Sequence, residues 1–308
     1  MRSLDSFTNR IICGDCLDMM KNMPDGFINL IYIDPPFGFD GDAKFFGMPK
    51  WSTLDYPANR IDDILPIIPR DKGTRNYLRW MFDRLEQMRR VLSERGSIYL
   101  HCDPTASHYL KLLMDVVFGA EQFLNEIIWY YGPKATQRSI SFQRKHDIVF
   151  LYAKKQGQHL FSSPLQEYGK GSLAERETRY KHQDEGGVYR WTTRRDGTGQ
   201  KSRAKVYLNE GVVMTDVWQI PIINATAKER LGYPTQKPEA LLDRIIKASS
   251  NEGDIVLDPF CGCGTTIAVA ERLKKRWIGV DISERACEIA RNRIAGIQAQ
   301  PDLLAAGD

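Results

Sequence analysis

The stretch from residue 254 to 281 narrows the folds open to this chain more than any other. Ile255-Val-Leu-Asp258 runs into Pro-Phe-Cys-Gly262-Cys-Gly264-Thr265-Thr266, a helical stretch follows, and Arg276-Trp-Ile-Gly-Val-Asp281 closes the unit. A short, nearly continuous apolar run ending in an acid reads as a buried parallel strand whose carboxyl end opens onto a site. Gly262 and Gly264 let the backbone turn sharply and approach a ligand, and Thr265 or Thr266 is placed to cap the helix. Parallel strands joined through a helix take a right-handed crossover, so this unit points to an α/β sheet.

The rest of the chain extends that pattern. Ile28-Asn-Leu-Ile-Tyr-Ile-Asp34 is a second apolar run ending in an acid. Helical spacing predicts a helix over 76–92, stopped by Gly96, with a strand at 97–101, a helix over 107–118 closed by Gly119, and strands at 126–131 and 148–152. After residue 233 the spacing predicts helices at 238–249, 265–273 and 284–297 and strands at 254–258 and 276–281. The fold class is therefore α/β: a mostly parallel twisted sheet with helices on both faces, Rossmann-like. Residues 38–73 show scattered Gly, Pro and Asp without a sustained period, as functional loops do.

The glycine loop departs from a dinucleotide site. It has no third glycine, it contains a proline, and Asp258 precedes it, where a carboxylate repels a pyrophosphate. The same carboxylate favours the cationic methionyl part of S-adenosylmethionine. Asp281, twenty-three residues on, sits where a strand-end acid accepts from ribose hydroxyls. The cofactor expected here is S-adenosylmethionine.

Asp34-Pro35-Pro36-Phe37 suits chemistry on a nucleobase amino group. Such a nitrogen is a poor nucleophile because its lone pair is delocalised into the ring. Two acceptors aimed at its hydrogens, the Asp34 carboxylate and the Pro35 carbonyl, draw it towards tetrahedral geometry. Pro35 and Pro36 fix φ and bring no N–H to compete. Phe37 offers a face for stacking. A base inside a duplex is out of reach, so it must be flipped out.

Together, in this order, the two motifs resemble the β group of DNA amino-methyltransferases, in which the catalytic motif precedes the cofactor motif. That resemblance implies the S-adenosylmethionine-dependent methyltransferase fold and a further set of roles. Pro234-Thr-Gln-Lys237-Pro238 looks like motif X, and Ile12-Cys-Gly-Asp15-Cys16-Leu17 looks like the adenine-contacting motif III. By that likeness Asp15 accepts from the cofactor adenine, with Cys16 beside it. Ile282 lines the adenine pocket, Asp258 and Phe260 flank the methionyl group, Lys237 helps to hold its carboxylate, and Gly262, Gly264 and Thr265 form the loop. Cys263 departs from the family, which commonly has Ser there. Asp at the first catalytic position points to adenine, since the cytosine enzymes of the group more often carry Ser. His101-Cys-Asp103 looks like motif VI, and Phe142-Gln-Arg-Lys-His146-Asp147 resembles motif VIII, near the DNA.

From Lys154 to about Tyr233 apolar periodicity fades, and basic residues interleave with Tyr168, Tyr180, Tyr189, Trp191 and Tyr207. Fourteen Lys or Arg stand there between Lys154 and Arg230 against nine Asp or Glu, while the whole chain carries only +4. A basic excess confined to one segment suits phosphate contact. Residues 154–232 are thus read as a target-recognition region inserted into a catalytic and cofactor-binding domain of 1–153 and 233–308. Arg194, Arg195, Lys201, Arg203 and Lys205, with His146, are the candidate DNA contacts.

The function these readings give is methylation of the N6 amino group of a flipped adenine at a specific site in double-stranded DNA. The alternatives are methylation of cytosine N4 and a non-catalytic DNA-binding protein on the same scaffold. The six cysteines read as reduced thiols, because Cys261-Gly-Cys263 lacks the two-residue spacer of a zinc site; no metal is expected. No run reaches the roughly 18 apolar residues of a spanning helix, and the expected location is cytoplasmic. A homodimer and a cognate restriction endonuclease are partners such enzymes take, and the residues leave both open.

Overall fold

In the computed structural model, residues 7–36, 60–63, 72–132, 140–166, 180–195, 200–207 and 212–299 are described. The described chain forms two compact units, residues 1–162 with 216–308, and residues 163–215.

The larger unit is built on an eight-stranded sheet. Its strands are β1 (Arg10–Cys13), β2 (Ile28–Ile33), β3 (Leu92–Cys102), β4 (Phe123–Tyr130), β5 (His146–Ala153), β11 (Val217–Gln219), β12 (Ile255–Asp258) and β13 (Arg276–Asp281), β6 to β10 belonging to the smaller unit. Their spatial order is β1-β13-β12-β2-β3-β5-β4-β11. Every pairing is parallel except those of β5 with β3 and β4, so β5 alone runs against the rest. The helices are α1 (Cys16–Lys21), α2 (Lys72–Val91), α3 (Ser107–Phe118), α4 (Glu239–Ser249), α5 (Thr265–Arg272) and α6 (Glu284–Gln298).

The apolar runs of β2 and β12 are continuous because both faces of the sheet are covered. Ile31, Ile33 and Leu257 pack with Tyr77, Leu78, Met81, Leu85 and Met88 of α2 and with α3. Leu30, Tyr32 and Val256 pack on the other face, with Leu241, Leu242, Ile245 and Ile246 of α4 and Ile267 of α5. Each fully buried Leu or Ile side chain contributes about 1.5–3 kcal/mol of transfer free energy.

Three expectations need correction. Gly96 does not stop a helix: α2 ends at Val91, and Gly96 lies within β3. A Cβ on Gly96 would meet Leu92 Cδ1 at 2.6 Å and the Asn29 carbonyl oxygen at 2.9 Å, so the glycine is where β3 closes on β2. The helix expected from residue 238 starts one residue later, with Pro238 just outside α4 at its N-cap. Neither Thr265 nor Thr266 caps α5: Gly264 takes the cap position at φ +75°, and no side chain closes the cap. A Cβ there would come within 2.9 Å of Ala290 Cβ on α6.

The smaller unit holds a two-stranded antiparallel ladder of β6 (Leu165–Gln166) and β10 (Val212–Val213), and a three-stranded antiparallel sheet of β7 (His182–Asp184), β8 (Gly187–Arg195) and β9 (Lys201–Tyr207). It is narrower than the 154–232 span set by sequence texture. β11 within that span pairs with β4 in the large sheet, and Ser162 N–H donates to the Ala248 carbonyl. Among the described residues no helix is long and apolar enough to cross a membrane.

Candidate active site

The carboxyl ends of β1, β2, β12 and β13 open onto one cleft of about 710 Å³. This is where ligands sit in open parallel sheets. The cleft gathers Asp15, Cys16, Asp34, Pro35, Pro36, Lys237, Asp258, Phe260, Gly262, Thr265, Asp281 and Ile282, residues separated by up to 267 positions in sequence. Gly264 stands behind the loop, packed on α6, and does not line the cleft. Phe37 lies outside the described residues, as does most of the 38–73 stretch.

The glycine loop is held from within. Asp258 is buried; its Oδ1 accepts from Phe260 N–H at 3.0 Å and its Oδ2 from the Thr266 hydroxyl at 2.5 Å. Burial pushes its carboxyl up to about 7; the bonds to Thr266 and Phe260 oppose this, and the nearby Asp34 and Asp281 charges add to it. Asp281 accepts from Gly262 N–H at 2.8 Å and Ser283 N–H at 2.9 Å, one bond to each oxygen. Burial raises its carboxyl too, and these bonds oppose it. Gly262 takes φ +51°, and a Cβ there would meet the Tyr233 ring at 3.3 Å. Arg293 of α6 clamps the loop, donating to Thr265 Oγ1 at 3.0 Å and to Glu239 of α4 at 2.6 Å.

Sequence reasoning missed three residues of this wall. Asp15 caps α1 through Leu17 N–H, and Arg84 Nη2 donates to both Asp15 oxygens, at 2.9 and 2.6 Å. Arg84 is 4% exposed and lies over the Trp80 ring, 3.9 Å from its centroid; Trp80 in turn contacts Phe260 at 5.7 Å. The only trace of this in the sequence is the four-residue spacing of Trp80 and Arg84, hidden in the helical pattern. Tyr233 completes the wall, its hydroxyl pushed up to about 12 mainly by burial. Beside Asp15, burial pushes the Cys16 thiol up to about 12 against the opposing charge of Arg84. Ile282 is apolar yet 66% exposed.

Asp34 is held differently. Its Oδ2 is ion-paired with Lys237 Nζ. Its Oδ1 is buried and, among the described residues, has no hydrogen-bond partner. Facing it at 3.6 Å is Nδ1 of His101, a fully buried imidazole whose Nδ1 also meets the Tyr32 hydroxyl at 2.9 Å and whose Nε2 meets Asp147 Oδ2 at 3.1 Å. By the family resemblance Lys237 helps to hold the cofactor carboxylate; in this structure its ammonium is ion-paired with Asp34.

Of the DNA-side candidates in the larger unit, His146 is not among the described residues that line this cleft. His146 opens β5, opposite Tyr130. Arg194 and Arg195 end β8, their side chains outside the described residues; Lys201 and Arg203 are exposed on β9. Arg203 lies over the Trp191 ring at 4.6 Å and Lys205 over Tyr189 at 4.5 Å. Lys205 is also ion-paired with Asp184, so part of its charge is already spent within the sheet. All six cysteines are free thiols.

A family model described as DNA methylase, that of the N6/N4 methyltransferases, matches residues 28–292. The chain is 28% identical over 285 residues to the type II methyltransferase M.HpaI of Haemophilus parainfluenzae, covering 92% of this chain and 74% of the relative. It is 26% identical over 284 residues to the DNA adenine methyltransferase YhdJ of Escherichia coli (strain K12), covering 92% and 82%. In fold it is similar to the cytosine-N4-specific PvuII DNA methyltransferase, with a TM-score of 0.61 at 15% identity over 97% of this chain and 93% of that one. It is also similar to M1.HpyAVI in its complex with SAM, with a TM-score of 0.54 at 17% identity over 92% and 98%.

Proposed function

The chain belongs to the N6/N4 DNA methylase family, and from that premise we propose that it methylates the exocyclic N6 amino group of an adenine flipped out of duplex DNA, at a short specific site. The methyl donor is S-adenosylmethionine, and the residues of the cleft fit it. The Asp281 carboxylate has more acceptor sites than its backbone bonds use and can take a ribose hydroxyl, exposed Ile282 offers an apolar face to a flat base, and Asp15 is fixed by Arg84 as an acceptor for an amino group. When bound, S-adenosylmethionine supplies an electrophilic methyl group.

One observation carries the reading: the unpartnered carboxylate oxygen of Asp34, enclosed at the end of β2 and followed by two prolines. A buried acceptor left without a donor costs about 1–3 kcal/mol. An amino hydrogen placed against Asp34 relieves that cost, and the Pro35 carbonyl takes the second hydrogen. Lys237 holds the other Asp34 oxygen and fixes its orientation. Most of the rate then comes from positioning and preorganised dipoles. The adenine assignment draws on Asp at position 34 and on the adenine-methyltransferase name of the Escherichia coli relative.

The 163–215 unit is proposed to read the DNA. Its exposed Lys201 and Arg203, with Arg194 and Arg195, supply phosphate and base-edge donors, and its aromatic rings supply stacking faces. A modification-system setting follows the type II name of the Haemophilus relative.

The deciding experiment expresses the chain in a methylation-deficient bacterium and maps its genome by modification-sensitive single-molecule sequencing. Methyl-adenine at one recurrent short motif is the expected result. Methyl-cytosine at a motif replaces adenine with cytosine N4, and a folded protein that binds S-adenosylmethionine but leaves no mark overturns the assignment.

A further inference from the structure

The enclosed Oδ1 of Asp34 does not face open solvent; it faces an imidazole, and behind the imidazole stands a second carboxylate. His101 is the penultimate residue of β3 and has no exposed surface, its ring edge-on to Trp129 of β4 at 5.4 Å. A carboxylate only accepts, so the contact of Nε2 with Asp147 at 3.1 Å puts a hydrogen on Nε2 and leaves Nδ1 to accept from the Tyr32 hydroxyl. Nδ1 is also the ring atom 3.6 Å from Asp34 Oδ1. The line Asp34–His101–Asp147 thus runs from the floor of the cleft to a carboxylate that is 19% exposed.

The reaction proposed above needs such a line. When the target nitrogen bonds to the methyl carbon and the carbon–sulfur bond breaks with its electron pair on sulfur, the nitrogen is left with one proton too many and a positive charge. Lys237 occupies Asp34 Oδ2, so Oδ1 is the oxygen left to take that proton. A proton held on that enclosed oxygen, beside an ammonium, must leave before the next turnover.

We propose that His101 and Asp147 take this proton from Asp34. The step balances without a further reactant. The proton passes from Asp34 Oδ1 to His101 Nδ1, and the Tyr32 hydroxyl turns from donor to acceptor. The imidazolium that forms is stabilised by Asp147 at Nε2 and holds the proton until the methylated base leaves and water enters the cleft, when Nδ1 releases it to that water through Asp34 and the Nε2–H tautomer is restored. His101 and Asp147 act through Asp34 and are positioning residues. The other titratable and charged groups near the line are Lys237 on Asp34, Tyr131 hydrogen-bonded to Asp147, and Asp258, whose charge is felt at Tyr32. Asp103 acts from the far side on Cys102, the residue after His101. This inference rests on the methyl-transfer reading, because it supplies a holder for that reaction's proton.

The test uses the full-length protein, a duplex containing the motif found by sequencing, and labelled S-adenosylmethionine under single-turnover conditions. Asp147→Asn keeps the shape and an acceptor for Nε2 but removes the charge. It is expected to slow methyl transfer about 10- to 100-fold near neutral pH, a modest share of what positioned proton transfer supplies. Its rate should climb with pH as solvent base takes over, whereas the wild-type profile stays flatter, and Asp147→Glu should restore most of the loss. Affinity for S-adenosylmethionine should stay within about twofold, since Asp147 does not line the cleft. A second readout needs no cofactor: imidazole nitrogen NMR should show His101 protonated at Nε2 in the wild type and lose that preference in Asp147→Asn. His101→Gln, a buried change that risks the fold, serves only alongside it. Wild-type rate and pH profile in Asp147→Asn overturn the relay, and so does a rate loss matched by an equal loss of cofactor affinity. A wild type that marks no DNA overturns the methyl-transfer reading and the relay with it; active wild type with indifferent variants overturns the relay alone.

Discussion

Asp15, Asp258 and Asp281 on one side of the cleft and Asp34 on the other are all aspartates at the ends of neighbouring parallel strands, yet the fold treats the two sides differently. On the cofactor side every carboxylate is tied by the protein's own donors. Asp15 holds Leu17 N–H and Arg84, Asp258 holds Phe260 N–H and Thr266, and Asp281 holds Gly262 and Ser283 N–H. At the proposed catalytic position Asp34 is ion-paired with Lys237 through Oδ2, and its enclosed Oδ1, 3.6 Å from His101 Nδ1, has no hydrogen-bond donor among the described residues. The first three are parts of the turns they hold, and the proposed cofactor would use carboxylates that the fold already fixes. The fourth is left under-satisfied at a local cost, as buried groups at working sites often are.

The largest test of this contrast is Asp34→Ala. It should lower methyl transfer by roughly 10²–10³-fold or more, the scale seen when one preorganised polar group is removed, and leave cofactor affinity within a few-fold by calorimetry. Full activity in that variant would erase the contrast. Asp281→Ala should act the other way round. Losing two backbone hydrogen bonds and the proposed ribose acceptor, it should weaken S-adenosylmethionine binding by about 10- to 100-fold, from about 1–3 kcal/mol, before it touches the chemical step. A variant that loses turnover with unchanged affinity would break the division between the two sides.

Asp258→Asn sharpens the structural half of the argument. The folded carboxyl is raised to about 7 by burial, above its unfolded value near 4. The folded state therefore holds the proton more tightly, and the group's contribution is fully present below pH about 4 and is lost as pH rises to about 7. The amide introduced by this change would keep an acceptor for Phe260 N–H and offer a donor to Thr266, and it does not ionise. Thermal melts from pH 5 to 8 should show the variant gaining on the wild type as pH rises; a constant difference would mean that Asp258 stays ionised when buried. The smallest effect is expected at Lys201, exposed on β9. Lys201→Ala should lower the salt slope of DNA binding by about one and leave melting temperature and cofactor affinity unchanged.

Much of this contrast is legible in the residues alone. The strand ends at Asp34, Asp258 and Asp281 can be read because a parallel strand buried on both faces is apolar throughout, and an acid that stops it stands out. β1 and α1 escape such a reading, being four and six residues long and too short to show a period. β11 escapes it for the same reason, which is why sequence texture draws the inserted region too wide. Gly96 misleads because a glycine after a helical run resembles a helix stop, while its actual constraint is the close approach of Leu92 and the Asn29 carbonyl.

What the sequence determined by itself was the order and kind of the main elements and the acids at the strand ends. Those follow from local periodicity and from turn chemistry over a few residues. What only the tertiary structure decided was which groups pair across the cleft: Arg84 on Asp15 sixty-nine positions away, Lys237 on Asp34 at two hundred and three, and His101 between Asp34 and Asp147. Such pairings depend on how strands are ordered in the sheet and where helices pack, and no local pattern encodes them. Hence the sequence could name Asp34, but only the fold could show that one of its oxygens lacks a donor among the described residues.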